Sequence, residues 1–287
     1  MTIRTLKGEL TTNDILTLIQ SFDRFRGRVI RLKDYYAGKH PILRRLPRPN
    51  NAPTNRIVSN YCAYISNMST GFFLGQPVTY SSTDENGLAT LREIFRYNDE
   101  AAHNLELAEE SSVTGTAYEL LYLDGDAQIR LAAIPCEEVI LITDSTLEAN
   151  PLAAVRYYRV YNLDGVTYSE FVDVYDARQI SHYEYNAGLR LIDTEPNFFG
   201  DVPIIEYPNN KQRRGDFEDV LTLIDAYNSA QSLTLDDMED FTDAFLILKG
   251  LGGTNADDVK ELRQNKVITL DGEGAGAEWL IKNLNDT

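Results

Sequence analysis

At 287 residues, 43% hydrophobic and 25% charged, the chain is long enough for one large globular domain or two, with a sizeable buried core. Its net charge of −17 argues against general attraction to nucleic acid or to an anionic membrane, both of which require a Lys/Arg surface. Cys62 and Cys136 have neither metal spacing nor a disulfide framework and fit a reducing compartment; the N-terminal MTIRTLKGEL lacks the apolar core of a signal peptide, and no apolar run approaches the roughly 20 residues of a membrane span, so the chain reads as soluble and non-secreted.

Taken in order, Thr12 to Tyr36 has the spacing of a helix, with Thr12 or Asn13 as cap and Ile15, Leu18, Ile19, Phe22, Val29, Leu32 and Tyr36 on its buried face. A connector follows, KHPILRRLPRPNNAP, too interrupted by Pro and Asn for helix or strand. The sign of the charge is uneven here: Arg24 to Arg56 carries ten bases and one acid, Asp34. Arg44, Arg45, Arg48 and Arg56 are candidate docking residues for an acidic protein surface or phosphate, against the plainer reading of a solvated loop. Thr54 to Phe73 is expected to be a second helix, with Ile57, Val58, Tyr61, Tyr64, Ile65, Met68 and Phe72 at three- and four-residue steps. Pro77 to Ser81 reads as a short strand, and Leu88–Tyr97 and Ala101–Thr114 as two more helices.

The period then changes. Ala117–Leu123 and Ala127–Ile134 alternate around Asp124-Gly125, a hairpin signal. Val139–Ile142 is a further strand. Ala153–Tyr161 and Tyr168–Tyr175 flank Asp164-Gly165, and Ile180–Tyr185 and Leu189–Ile192 flank Asn186-Ala187-Gly188. These make a meandering antiparallel sheet, closed by a short strand at Val202–Ile205.

Asp216 to Lys249 contains no Gly or Pro and is expected to form one helix of about 50 Å at 1.5 Å per residue. Phe217, Val220, Leu221, Ile224, Tyr227, Leu235, Met238, Phe241, Phe245 and Leu248 form an apolar stripe. Asp225, Ser229, Asp236, Asp240 and Asp243 fall on the opposite face, and nine acids against one base, Lys249, occupy the stretch. Such a helix needs neighbours on more than one side, which points to an assembly element. Beyond it, Asn255–Arg263 reads as a short helix, and Val267–Leu270 and Glu278–Ile281 as a strand pair across DGEGAGA. With no closing element after them, the sequence is expected to be a truncated product.

Catalytic patterns have no positive support. Two-metal phosphoryl-transfer sites use several carboxylates, but Asp236, Asp237, Glu239, Asp240 and Asp243 lie on one helix and point in several directions. His40, His103 and His182 are isolated from Cys or other His at ligand spacing. There is no GxSxG, no P-loop and no dinucleotide fingerprint, and Asp271-Gly-Glu-Gly-Ala-Gly is followed by a strand. No cofactor is called for.

Three segments resemble the portal proteins of tailed double-stranded DNA bacteriophages, of the siphophage type. They are YYAGKHPIL leading into NNAPTNRIVSNYCAYISNMSTGFFLGQPVTY (to Tyr80), GTAYELLYLD (Gly115–Asp124) and DFEDVLTLIDAYNSAQSLTLDDMEDFTDAFLILKG (Asp216–Gly250). The resemblance covers nearly the whole chain. It implies an α+β fold with a wing of helices and antiparallel sheet over 1–215, a stem helix over 216–249 and part of a small α/β clip over 250–287. A second stem helix, a channel loop and a crown have no counterpart in this sequence.

The resemblance further implies a ring of about 12 identical subunits at one capsid vertex of the virion, assembled in the host cytoplasm, through which DNA passes without sequence-specific binding. Terminase, scaffold and major capsid proteins and head-completion or connector proteins would be its partners, with no membrane and no enzymatic activity. A conduit lined by Asp225, Asp236, Asp240 and Asp243 would repel the duplex and let it slide, since each Lys/Arg–phosphate contact adds affinity and friction. Whether that face meets DNA or the next subunit is left open by one helix wheel. Two other readings stand beside this one: a metal-dependent nucleic-acid enzyme using the acidic helix 216–249, and a monomeric wing-like adaptor.

Overall fold

The computed structural model describes residues 1–6, 10–49, 52–242, 245–249 and 276–280. The fold is α+β. The chain divides into two compact units, the first of residues 1–40 and 59–224, the second of residues 41–58 and 225–287.

In the first unit, helix α1 (Thr12–Tyr36) is the spine. The cap is Thr11, not the expected Thr12 or Asn13, because Asp14 stands three residues after Thr11: the Thr11 hydroxyl accepts the Asp14 N–H, and the Asp14 carboxylate accepts the Thr11 N–H. The helix takes part in three core clusters in succession. Ile15, Ile19 and Phe22 pack with Ile140, Ile142, Val155 and Val172. Val29 joins Tyr118, Val139, Val202 and Ile204. Leu32 and Tyr35 meet Cys62, Val113, Phe217, Leu221 and Ile224. One amphipathic helix thus nucleates apolar contacts with strands, a second helix and the chain that leads out of the unit.

Strands β1 (Thr2–Arg4), β2 (Thr116–Leu123), β3 (Ile129–Ile134), β4 (Val139–Thr143), β5 (Pro151–Tyr161), β6 (Tyr168–Tyr175), β7 (Gln179–Tyr185), β8 (Leu189–Pro196) and β9 (Ile204–Pro208) form two sheets. The larger has the order β1-β4-β5-β6-β7-β8 and the smaller β3-β2-β9. All pairings are antiparallel except β1 with β4, which is parallel. The hairpin turns fall where the sequence places them, at Asp124-Gly125, Asp164-Gly165 and Asn186-Ala187-Gly188. Asp124 and Asp164 each fold their carboxylate back onto backbone N–H groups of the turn. The N-terminal strand and the split into two sheets are not visible in the periodicity.

Helices α2 (Tyr61–Leu74), α3 (Glu85–Tyr97) and α4 (Glu100–Thr114) complete the unit. Pro77–Ser81, expected as a strand, is irregular and joins no sheet among the described residues. After α4 the chain turns at Gly115, whose φ of +91° is a conformation that favours glycine. A Cβ there would lie 2.3 Å from the Arg213 carbonyl oxygen, so the two segments meet backbone to backbone.

The helix expected over 216–249 is shorter. A 3-10 turn, Glu218–Val220, precedes helix α5 (Leu221–Thr242), and Phe245–Lys249 is strand β10, antiparallel to β11 (Gly276–Leu280). The reason for the late start is local: the Asp216 carboxylate accepts from Ser112 Oγ and Asn209 Nδ2, and its N–H bonds Ser112 O. At the other end, FLILK is a short apolar run whose period alone does not separate strand from helix. Its partner is the strand expected to pair with Val267–Leu270. That segment and the expected helix Asn255–Arg263 lie outside the described residues.

Candidate functional site: a basic arm clasped to an acidic helix

The second unit brings the two charged sets of the sequence together. Residues 41–58 form an arm that opens with a 3-10 turn, Pro41–Arg44, and is neither helix nor strand over 52–58, where it bonds to α5. Asp236 of α5 is buried, 1% exposed. Its Oδ1 accepts from the Asn55 backbone N–H at 2.6 Å and from Asn55 Nδ2 at 2.9 Å. Arg45 Nη1 lies 2.8 Å from Oδ2, an ion pair by distance without the alignment of a hydrogen bond. One helical turn earlier, Ser232 Oγ accepts the Ile57 N–H at 2.9 Å and donates to Asn228 O at 2.8 Å. Asn55 Nδ2 also reaches Glu239 Oε2 at 3.1 Å.

These bonds explain why Thr54–Asn60 is not helical although its apolar spacing predicts helix. The N–H groups of Asn55 and Ile57 are satisfied by side chains of α5 and have no need of an intrahelical carbonyl. The helix begins only after Asn60, whose side chain caps it by accepting the Ala63 N–H.

The ionisation of Asp236 follows from the same contacts. Burial opposes the charged form, but the Asn55 N–H, the Asn55 amide and the Arg45 guanidinium outweigh it and hold the carboxyl below the usual carboxylate range.

The other expected basic residues serve the arm itself. Arg48 Nη1 donates to Pro53 O, its N–H to Thr54 Oγ1, and Arg56 Nε donates to Arg45 O. Arg44 is exposed. Of the acidic set, Asp225 and Ser229 are half-buried on α5, Asp240 falls near the helix end, and Asp243 lies outside the described residues.

The apolar stripe of α5 is not all inward. Leu221 and Ile224 are buried in the first unit's core, but Tyr227 and Met238 are exposed, as are Leu223 and Leu233 outside the stripe. Tyr227, Ala230, Thr234, Leu235 and Met238 line a shallow groove of about 510 Å³ with Ile57.

A second polar node lies in the first unit. Glu119 on β2 accepts from Tyr207 Oη at 2.7 Å, and His103 Nε2 lies 2.7 Å from its other oxygen. Burial opposes its charge, and the His103 and Tyr207 contacts win, lowering its pKa. On the sheet, His182 Nδ1 lies 2.7 Å from Asp173 Oδ1. His40 is buried edge-on to Tyr35. No group of three or more His, Cys, Asp or Glu side chains converges as a metal site among the described residues. Among those residues, too, no helix is long and apolar enough to cross a membrane.

A family model described as "Phage portal protein, SPP1 Gp6-like" matches residues 15–287. The chain belongs to this phage portal family. The portal match takes in α1 from Ile15 on, strands β2 to β9, the arm and α5. Two curated relatives agree. The "Portal protein" of Bacillus phage SPP1 is 26% identical over 221 residues, 71% of this chain and 44% of that protein. The "Portal protein" of Clostridium phage phiCD119 is 22% identical over 285 residues, 90% of this chain and 63% of that protein. The chain therefore spans less than two thirds of the length of either portal relative.

Proposed function

We propose that this chain is the structural subunit of a homo-oligomeric ring of about a dozen copies at one capsid vertex, the conduit for DNA during packaging and ejection. In that role terminase and head-completion proteins dock on it, scaffold and major capsid proteins surround it, and it performs no catalysis of its own. The observation that carries this reading is the portal-family match across residues 15–287. The exposed apolar residues of α5, Tyr227 and Met238 among them, support it, because a helix that leaves such residues in water is suited to a neighbour.

In the same reading Asp225, Ser229, Asp240 and Asp243 serve the channel or the contact with the next subunit, where carboxylates repel the passing duplex. Asp236 has a different part, holding the arm to the helix that carries the others. Its engagement by Asn55 and Arg45 speaks against a metal-dependent nuclease built on this helix.

Native mass spectrometry with particle imaging, at low and high salt, tests the proposal. Rings of about a dozen copies are expected, and no magnesium-dependent cleavage of DNA. A chain that stays monomeric at every concentration overturns ring formation by this chain. Magnesium-dependent cleavage abolished by Asp236→Asn overturns the structural reading.

A further inference from the structure

Helix α2 is built inside out. The residues it buries are small: Cys62, Ser66 and Thr70, at four-residue steps. Ser66 Oγ lies 3.0 Å from Ser112 Oγ of α4, so the two helices approach closely through hydroxyls. Apart from Ile65, which packs on the same core as Cys62, its large apolar residues are turned outward. Tyr61, Tyr64, Met68 and Phe72 fall at i, i+3, i+7 and i+11, one continuous helical face, and with Phe73 they are 43% to 95% exposed. The Tyr61 and Tyr64 rings meet edge to face at 6.5 Å, which makes the face continuous at its start.

The area is large. At roughly 150–250 Å² for an aromatic side chain, these five residues leave on the order of 600 Å² of apolar surface in water. The largest patch on an ordinary monomer is about 300–600 Å², and a stable interface takes about 800 Å² from each partner. Beside the face, Phe72, Phe73, Leu74, Val78, Leu107 and Tyr207 border a groove of about 650 Å³. The face, with the groove beside it, approaches the size that a specific protein contact needs.

The charge pattern identifies the occupant. From Ile57 to Thr83 the sequence has no Asp, Glu, Lys or Arg, in a chain whose net charge is −17. Two copies of so acidic a protein repel each other over most of their surfaces. A neutral, aromatic face is where that repulsion is weakest and where apolar burial is strongest. DNA is excluded, since the face has no base to neutralise phosphate. We infer that the outward face of α2, with its flanking groove, is the surface through which one copy of this chain binds a second copy. The contact is head-to-tail, the α2 face of one copy meeting a different surface of the next, because a closed ring is generated that way. This inference rests on the ring proposed above.

The test is native mass spectrometry of the chain carrying Phe72→Glu or Met68→Glu, each compared with the unsubstituted chain. Both positions are exposed in the single copy, so the thermal unfolding temperature should stay unchanged while the concentration needed for self-association rises at least 100-fold. If the unsubstituted chain forms rings and both variants form them equally well, the inference is overturned and the ring proposal stands. An unsubstituted chain monomeric at all concentrations overturns both. Should a variant unfold, a benzophenone side chain placed at Tyr64 gives an independent reading. Photocrosslinks that yield multiples of the subunit mass support the inference. Crosslinks only within one copy, or only to another phage protein in infected cells, overturn it.

Discussion

Arg45 and Asp236, 191 positions apart in the sequence, form a 2.8 Å ion pair that joins the most basic connector of the chain to its most acidic helix. The pair is asymmetric: the Asp236 side chain is 1% exposed and that of Arg45 23%. Removing the cation therefore leaves a buried carboxylate, whereas removing the carboxylate frees an arginine that can turn to water. The charges that suggested docking of separate molecules are, at this point, used within one chain.

Arg45→Ala should loosen the arm from α5 by about 1–3 kcal/mol, less than the roughly 3–5 of a fully buried pair because Arg45 is partly in water. Hydrogen exchange checks this directly. The Asn55 and Ile57 N–H groups, bonded to Asp236 and Ser232, should lose protection, while amides in the β5–β6 ladder should not. Asp236→Ala should have the same effect on Asn55.

The clasp should also be pH-dependent. The Asp236 pKa is lowered in the folded protein, so its stabilising contribution is fully present above the unfolded value of about 3.9 and is lost as pH falls through the folded value. Limited proteolysis of the arm should be unchanged from pH 8 to 5 and accelerate below about pH 4. Asp236→Asn should abolish that acid sensitivity at the Asn55 amide.

His182 should act with the opposite sign. Burial disfavours its charge, but the Asp173 carboxylate at 2.7 Å and Glu195 at 3.5 Å prevail and raise its pKa. Its contribution is fully present below about pH 6.5 and is lost as pH rises through the folded pKa. The difference in melting temperature between the unsubstituted chain and His182→Gln should be largest near pH 6 and shrink toward pH 9.

At Gly115 a side chain has neither conformation nor space. Gly115→Ala should cost about 2–3 kcal/mol, since φ is +91° and the new Cβ would fall 2.3 Å from the Arg213 carbonyl oxygen. A chemical denaturation series measures it. Gly188→Ala, with no atom within 4 Å of the built Cβ, is the control that should change little.

Tyr207→Phe should cost about 1–2 kcal/mol by leaving Glu119 Oε2 without its donor in a buried site. The Glu119 carboxyl, read by carbon NMR, should titrate at higher pH in the variant, because a contact that lowers its pKa is gone.

The elements whose signals are local can be read from the chain alone. Helix α1 spans Thr12–Tyr36 as its apolar spacing requires, and the Asp-Gly and Asn-Ala-Gly turns set their hairpins, because capping groups and turn residues act within a few positions of themselves. Family membership was legible too, since YYAGKHPIL, LIDAYN and the run into FLILKG can be read without knowing their packing. Periodicity draws a stripe on a helix but does not say what stands opposite it. Long-range packing is what turns the small residues of α2 inward and its aromatic residues outward, and what places Asp236 in the interior. It also decides that 54–60 is not helical and that 245–249 is a strand. In the first case α5 side chains supply hydrogen-bond partners for N–H groups that would otherwise need a helix. In the second, β11 pairs a run that was apolar on every side and so carried no preference between helix and strand.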